Sequence, residues 1–204
     1  MPIFGLTGDW GSGKTTVLKI LRRKGAEILS LDDLVHSAYK DKNSPIFKKV
    51  KREFPQVVKG ERISSKRLGK IVFEDKKKLE RLEKIVHPWV IKELKRWIKK
   101  SKREKIYIAE VPLLFEKKLD NIFDAIIFVY TPRKILMERL KRKTNFPSFL
   151  IRKRLSLFLP PQKKKRLSDF ILRNDSNLDC LRKKVEKLWR ILSHFSKIRK
   201  QIVL

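Results

Sequence analysis

The sequence predicts a doubly wound α/β fold, a sheet wrapped by helices, and three observations predict it. A short apolar stretch, Ile3-Phe4-Gly5-Leu6-Thr7, runs into a glycine-rich loop and then into a segment with Val17, Leu18 and Leu21 at helical spacing. Ala125 to Tyr130 is an apolar, β-branched run without polar alternation, as expected of a strand covered on both faces. Strand-like runs alternate with helix-periodic segments along the chain.

Residues 2–7 read as the first strand and 14–24 as the first helix, with Gly25 at its C-terminal cap. Ala26 to Leu31 reads as a second strand. Asp32-Asp33 stands at its carboxyl end, or else Asp32 caps a helix opened by Leu34 and Val35. From about Asp41 to Ser101 no strand is expected, only helical pattern broken at Pro45, Pro55 and Gly60. Pro88 is expected to start a further helix with Val90, Ile91, Leu94 and Trp97 on its buried face. Ile106 to Val111 is a third strand, ended by Pro112. Thr131-Pro132 closes the 125–130 strand and opens a basic helix running to about Arg142. Residues 147–168 are helical pieces divided at Pro160-Pro161, and Phe170 to Leu172 is a short last strand. A closing helix at 177–199 is expected to bury Leu178, Leu181, Val185, Leu188 and Leu192.

In such folds ligands sit beyond the carboxyl ends of the strands. The residues there are Gly8 to Thr15, Asp32 and Asp33, Glu110 and Pro112, Thr131, and Arg173-Asn174. Gly8-Asp9-Trp10-Gly11-Ser12-Gly13-Lys14-Thr15 fills every constrained position of G-x-x-x-x-G-K-[ST], the P-loop pattern, in the strand–loop–helix context it requires. Glycines remove Cβ atoms, so backbone N–H groups can turn inward around phosphate oxygens. The following helix points its positive end at the same anion. Lys14 is placed to reach β- and γ-phosphates, and the Thr15 hydroxyl to hold Mg²⁺.

The charge narrows the partners less sharply. Lys plus Arg number 53 against 22 acids, a net +31. That balance fits a nucleic-acid binder, or a solvated surface on a chain whose ligands are polyanions. The basic residues are spread over Lys48 to Arg52, Lys76 to Lys78, Lys163 to Arg166 and Arg182 to Lys184, without regular aromatic interleaving. Weak, non-specific nucleic-acid binding is therefore expected. Cys180 is the only cysteine, which excludes an intrachain disulfide and a cysteine-rich zinc site. No run of eighteen apolar residues predicts a membrane span. No basic segment followed by an apolar stretch and cleavage site opens the chain, so a cytoplasmic enzyme is expected.

Taken together, these positions resemble the dephospho-coenzyme A kinase family over nearly the whole chain. The family's G-L-T-G-x-x-G-S-G-K-S/T-T stretch is matched by Gly5 through Thr16. Its D-A-D-x-I-A-[HR] segment falls on Ser30-Leu31-Asp32-Asp33-Leu34-Val35-His36, with Ser30 in place of the first Asp and Asp32 at the base position. Arg67-Leu68 with Phe73 follows an R-x-L-like stretch loosely. His87-Pro88 matches an H-P dipeptide, and Pro112-Leu113-Leu114-Phe115-Glu116 matches P-L-L-F-E. Asp169 with Asn174-Asp175 resembles the closing segment. The lid pattern R-x-x-x-R is matched in part by Arg139 and Arg142, with Lys143 at the fourth place. Phe158 stands where a glutamine is usual, and Ser176 where a glycine is.

The resemblance implies a single P-loop kinase domain with a five-stranded parallel core (1–40, 102–135, 168–204), a helical acceptor-binding region (41–101) and a lid (136–167). It implies transfer of the ATP γ-phosphoryl group to the ribose 3′-hydroxyl of dephospho-coenzyme A, with Mg²⁺. Asp32, Lys14, Arg139 and Arg142 take catalytic roles. Gly8, Asp9, Trp10, Gly11, Ser12, Gly13, Lys14, Thr15, Thr16 and Asn174 hold the nucleotide. Asp32, His36, Arg67, His87, Pro112 and Leu113 bind the acceptor, and Thr15 and Glu110 serve the metal. A monomer is expected. Plainer readings stand beside these: a helix-start His87, a strand-end Glu110, packing alone for Pro112 to Phe115, solvated helix charges for Arg139 and Arg142. Two other functions share parts of the pattern, a nucleoside monophosphate-type P-loop kinase and a basic nucleic-acid-binding NTPase.

Overall fold

A computed structural model describes residues 2–102, 105–144 and 146–202, with side chains up to residue 195. In chain order the elements are β1 (Ile3–Gly8), α1 (Lys14–Arg23), β2 (Glu27–Ser30), α2 (Leu31–Ala38), α3 (Pro45–Glu53), β3 (Val58–Lys59), β4 (Arg62–Ile63), α4 (Ser65–Glu74) and α5 (Lys76–Lys99). Then follow β5 (Tyr107–Glu110), β6 (Ala125–Tyr130), α6 (Arg133–Thr144), α7 (Ser148–Leu155), α8 (Pro161–Leu167), β7 (Phe170–Arg173) and α9 (Leu178–Ile202). They fold as two compact units, one from residues up to 29 and from 101 onward, the other Ser30–Lys100.

The first is a sheet unit. Its five strands run in the order β2-β5-β1-β6-β7. β1 pairs in parallel with β5 (Ile3 opposite Tyr107) and with β6 (Phe4 opposite Ala125), and β6 with β7 (Ile127 opposite Phe170). The apolar runs are continuous because both faces are covered. Phe4, Leu6, Ile108, Ile127, Val129 and Leu172 pack with Val17, Leu18 and Leu21 of α1 and Leu181, Val185, Leu188 and Leu192 of α9. Each large side chain so buried contributes about 1.5–3 kcal/mol. On the opposite face Leu114 and Phe123 close down on Gly5. β1 is central, with strands added on either side, so its carboxyl end is the point where the winding reverses and a ligand crevice opens.

The second unit is helical, and its helices start where short polar side chains meet an apolar periodicity. Ser30, Ser44, Ser64 and Asp75 each accept a bond from a first-turn N–H of α2, α3, α4 and α5. Its core joins Tyr39, Ile46, Phe47, Val50, Phe54, Val57, Ile63, Leu68 and Val72, with Leu79, Leu82, Ile85, Val86 and Trp89 of α5 against them. Burial pushes the Tyr39 hydroxyl up to about 12.

Several expectations need correction. Residues 41–101 do contain strand, since β3 and β4 form a small antiparallel hairpin. Pro88 lies inside α5 instead of starting a helix. It withholds one N–H from the ladder, but the apolar stripe continues through it to Val90 and Leu94 and holds the helix together. The cap of α2 is Ser30, not Asp32, so both aspartates lie in the helix's first turn and not at an extended strand end. Leu178 is exposed at the start of α9, whereas Leu181 and Leu188 are buried as expected.

Candidate active site

The loop between β1 and α1 takes its shape from glycine. Gly11 and Gly13 have φ of 84° and 97°, the left-handed region that side chains avoid. A Cβ on Gly11 would also meet Leu140 at 2.7 Å, and one on Gly13 would meet Asn174 Nδ2 at 2.2 Å. Gly13 caps α1 without any side-chain bond, which leaves first-turn N–H groups for an anion. Lys14 is buried and curls back over the loop. Its Nζ donates to Gly8 O at 3.0 Å and Asp9 O at 3.3 Å, and lies 4.0 Å from Glu110 Oε1. Thr15 is exposed and Thr16 half-buried one position further into α1.

The loop is held from beneath by the ends of β6 and β7. Asn174 Nδ2 donates to Ser12 O at 2.7 Å. Thr131 Oγ1 lies 3.1 Å from Ser12 O and 2.9 Å from Asn174 O, one hydroxyl serving both carbonyls. Asn174, assigned to the nucleotide by resemblance, thus commits its amide nitrogen to the loop. Beside it, Arg173 and Lys184 pair with Asp175, and hydrogen bonding to Arg173 above all holds that carboxyl below its ordinary value.

Two cations escaped the sequence reading. Lys164, one of four consecutive basic residues taken as surface, is fully buried, with Nζ 2.9 Å from Asp9 Oδ1 and 3.1 Å from Glu116 Oε1. Nothing local distinguishes it from its neighbours in the run; only the packing of α8 does. Arg154 of α7 places its guanidinium 5.3 Å from the Trp10 ring and 4.7 Å from Phe146, and these two rings are 6.2 Å apart. Burial pulls its pKa below the ordinary value. Trp10 packs with Leu136, Leu140, Ile151 and Leu155 in a cluster tying α6 and α7 to the loop.

The expected lid arginines are less engaged. Arg139 Nη2 is 3.5 Å from Ser176 O, a long contact, and Arg142 is exposed on α6. After β5, Pro112 O accepts from Thr7 Oγ1 at 3.2 Å. Pro112 and Leu113 are half-buried, whereas Leu114 and Phe115 are core, so packing accounts for the latter pair.

The other assigned residues belong to the helical unit. Asp32 and Asp33 are exposed at the second and third positions of α2, and Ser30 Oγ accepts from Asp33 N at 3.3 Å. His36 Nδ1 lies 2.8 Å from Asp32 O, one turn back. Arg67 is in the first turn of α4, its N–H bonded to Ser64 Oγ at 3.4 Å. His87 lines a shallow surface depression on α5 with Glu80, Glu83, Lys84 and Pro88.

Hard oxygen donors suit Mg²⁺, which keeps several waters and needs only one or two protein ligands beside phosphate oxygens. The Thr15 hydroxyl and the buried Glu110 carboxylate, which sits beside Lys14, are that kind of donor set. Among the described residues no group of three His, Cys, Asp or Glu converges, and a P-loop Mg²⁺ site does not call for one.

A central strand feeding a positive-φ glycine loop, a buried lysine folded over that loop and a helix start left open define a P-loop nucleotide-phosphate site. Comparison with known proteins carries this further. The family model described as Dephospho-CoA kinase matches residues 2–179. A Dephospho-CoA kinase of Aquifex aeolicus is 33% identical over 196 residues, covering 95% of this chain and 98% of the relative. One of Bartonella quintana is 35% identical over 185 residues, covering 88% and 92%. A solved protein from Thermus thermophilus superposes with a TM-score of 0.77 at 29% identity, over 95% of this chain and 97% of that one. The chain belongs to the dephospho-CoA kinase family. It is an ATP-dependent kinase of P-loop fold, and ATP with Mg²⁺ is that family's requirement.

Proposed function

We propose that the chain transfers the γ-phosphoryl group of ATP to the ribose 3′-hydroxyl of dephospho-coenzyme A, releasing ADP and coenzyme A. The observation that carries this is the family match over residues 2–179 on a chain whose phosphate loop is fully formed. In the transfer the bond from the β–γ bridging oxygen to the γ-phosphorus breaks and a bond from O3′ to that phosphorus forms. Little covalent work falls to the protein; alignment and charge neutralisation carry the step. Loop N–H groups and Lys14 stabilise the charge of the transferring group. Mg²⁺, held through Thr15 and Glu110, would neutralise phosphate oxygens. Asp32 receives the 3′-hydroxyl proton. His36, Arg67, His87, Pro112 and Leu113 are assigned to the acceptor, and 41–101 to its binding. Segment 136–167 serves as the lid that excludes water, with Arg139 and Arg142 as its phosphate contacts, and Arg154, resting on Trp10, joins them. A monomer in the cytoplasm fits this reading. Among the described residues no helix is long and apolar enough to cross a membrane.

The test is ADP release with a panel of acceptors. Dephospho-coenzyme A should drive it, with AMP and adenosine much poorer; a panel in which AMP matches or beats it moves the protein to the nucleotide-kinase reading. The net charge of +31 should give only weak, sequence-independent nucleic-acid binding that fades with salt.

A further inference from the structure

A fully buried ammonium needs compensation, because an isolated charge in a protein interior is strongly unfavourable. Lys164 finds it in two carboxylates from distant parts of the chain, Asp9 Oδ1 at 2.9 Å and Glu116 Oε1 at 3.1 Å. The Phe158 ring adds a cation–π contact at 4.6 Å. Glu116 Oε1 also accepts from Leu159 N at 2.7 Å, while Glu116 Oε2 is buried without a hydrogen-bond partner. That carboxylate therefore leans on Lys164 and one amide. Asp9 is the second residue of the phosphate loop. Its carbonyl accepts from Lys14 Nζ at 3.3 Å and from Ser12 N at 3.1 Å. One ammonium, from the middle of α8, thus ties that helix, the loop and the turn after β5 together.

We propose that Lys164 is a positioning residue for phosphoryl transfer: through Asp9 it fixes the loop carbonyls on which Lys14 rests. Without that ammonium two carboxylates are left buried without a cation. Asp9 either moves outward, taking its carbonyl along, or draws Lys14 onto its carboxylate and away from the phosphate. Both outcomes misplace the clamp that acts on the transferring group, and misplacement by about 1 Å costs roughly 10²-fold. The loss should fall on kcat and on ATP, and leave KM for dephospho-coenzyme A near its original value. The proposal rests on the loop being an ATP site.

The experiment compares the full-length wild type with Lys164→Met, Lys164→Arg, Asp9→Asn and the exposed control Lys163→Met. kcat, KM for each substrate, melting temperature and direct MgATP affinity are measured well below the melting transition. Lys164→Met should lower kcat/KM for ATP by about 10- to 100-fold. Lys164→Arg, which keeps a charged donor, should recover part of it, and Lys163→Met should be unchanged. Asp9→Asn covers the case in which Lys164→Met fails to fold. It keeps the shape and leaves Lys164 paired with Glu116, and it should lower kcat/KM for ATP by about tenfold. A lower melting temperature with kcat/KM within twofold of wild type, in Lys164→Met or in Asp9→Asn, overturns the proposal and makes the cluster structural only. Wild type that neither binds MgATP nor releases ADP would instead overturn the kinase reading itself.

Discussion

The phosphate loop and the helical unit carry the proposed site residues in opposite ways. In the loop the backbone forms the proposed phosphate cradle, and its shape is set by which positions lack a side chain. Gly11 and Gly13 sit at positive φ with Leu140 and Asn174 filling the space where a Cβ would be. Asn174 and Thr131 hold its Ser12 carbonyl from below. In the helical unit Asp32, His36, Arg67 and His87 are side chains on helices α2, α4 and α5, and their placement follows from where those helices start and pack. A substitution in the loop, or at a side chain proposed to act in the reaction such as Asp32, should therefore disturb chemistry, and one at a helix cap such as Asp75 should disturb stability.

The largest effect expected is at Lys14. Lys14→Ala removes the ammonium that bridges Gly8 O and Asp9 O. It should lower kcat by roughly 10³–10⁵-fold, the range for a transition-state cation in phosphoryl transfer. Circular dichroism and melting temperature should stay near wild type. Near-normal turnover by a folded Lys14→Ala protein would erase the contrast between loop and helices and sink the phosphate-site assignment.

A smaller and sharper effect separates two neighbours in α2. Because Ser30 caps the helix, Asp32 and Asp33 lie about 100° apart around its first turn. Asp32→Asn keeps the shape and removes the proposed proton acceptor, so kcat should fall roughly 10²–10⁴-fold with ATP affinity nearly unchanged. Asp33→Asn should cost little, since its N–H on Ser30 Oγ survives and only a favourable charge at the helix start is lost. Should Asp33→Asn be the crippled enzyme while Asp32→Asn turns over normally, the register of the base is off by one residue.

How much was legible in the sequence follows the same division. The P-loop, β1 and β6 could be read from residue spacing, because glycine requirements and continuous apolar runs are local properties. Ser30 looked only like a departure from D-A-D; its role as the cap of α2 needs the helix start to be fixed. Pro88 predicted a break, and the apolar stripe running on to Leu94 overrode it. Lys164 was invisible because a run of four basic residues gives no local sign of which one turns inward. Arg154 was missed for a related reason: its partners Trp10 and Phe146 lie far off or past a turn, and contact between them is a tertiary fact.

The smallest effect tests the helical side alone. Asp75 caps α5, with Oδ1 accepting from Lys77 N at 2.8 Å and Lys78 N at 3.2 Å. The backbone N–H of Lys78 leads in holding its carboxyl below the ordinary value, helped by that of Lys77 and by the Lys78 charge. A carboxyl whose pKa is lowered by folding stabilises the fold above its unfolded pKa, about 3.9, and that contribution disappears as pH falls through the folded value. Asp75→Ala should thus lower the melting temperature by a few degrees at pH 7. The gap to wild type should narrow steadily below about pH 4. Asp75→Asn keeps an acceptor at the cap, so it should fall between the two at pH 7 and show no such narrowing of its own gap to Asp75→Ala. None of these variants should move kcat by more than about twofold at 25 °C, since surface changes away from the site act on stability alone. A pH-independent gap between wild type and Asp75→Ala would mean the carboxylate is not the cap, and a large fall in kcat would mean the start of α5 is coupled to the chemistry after all.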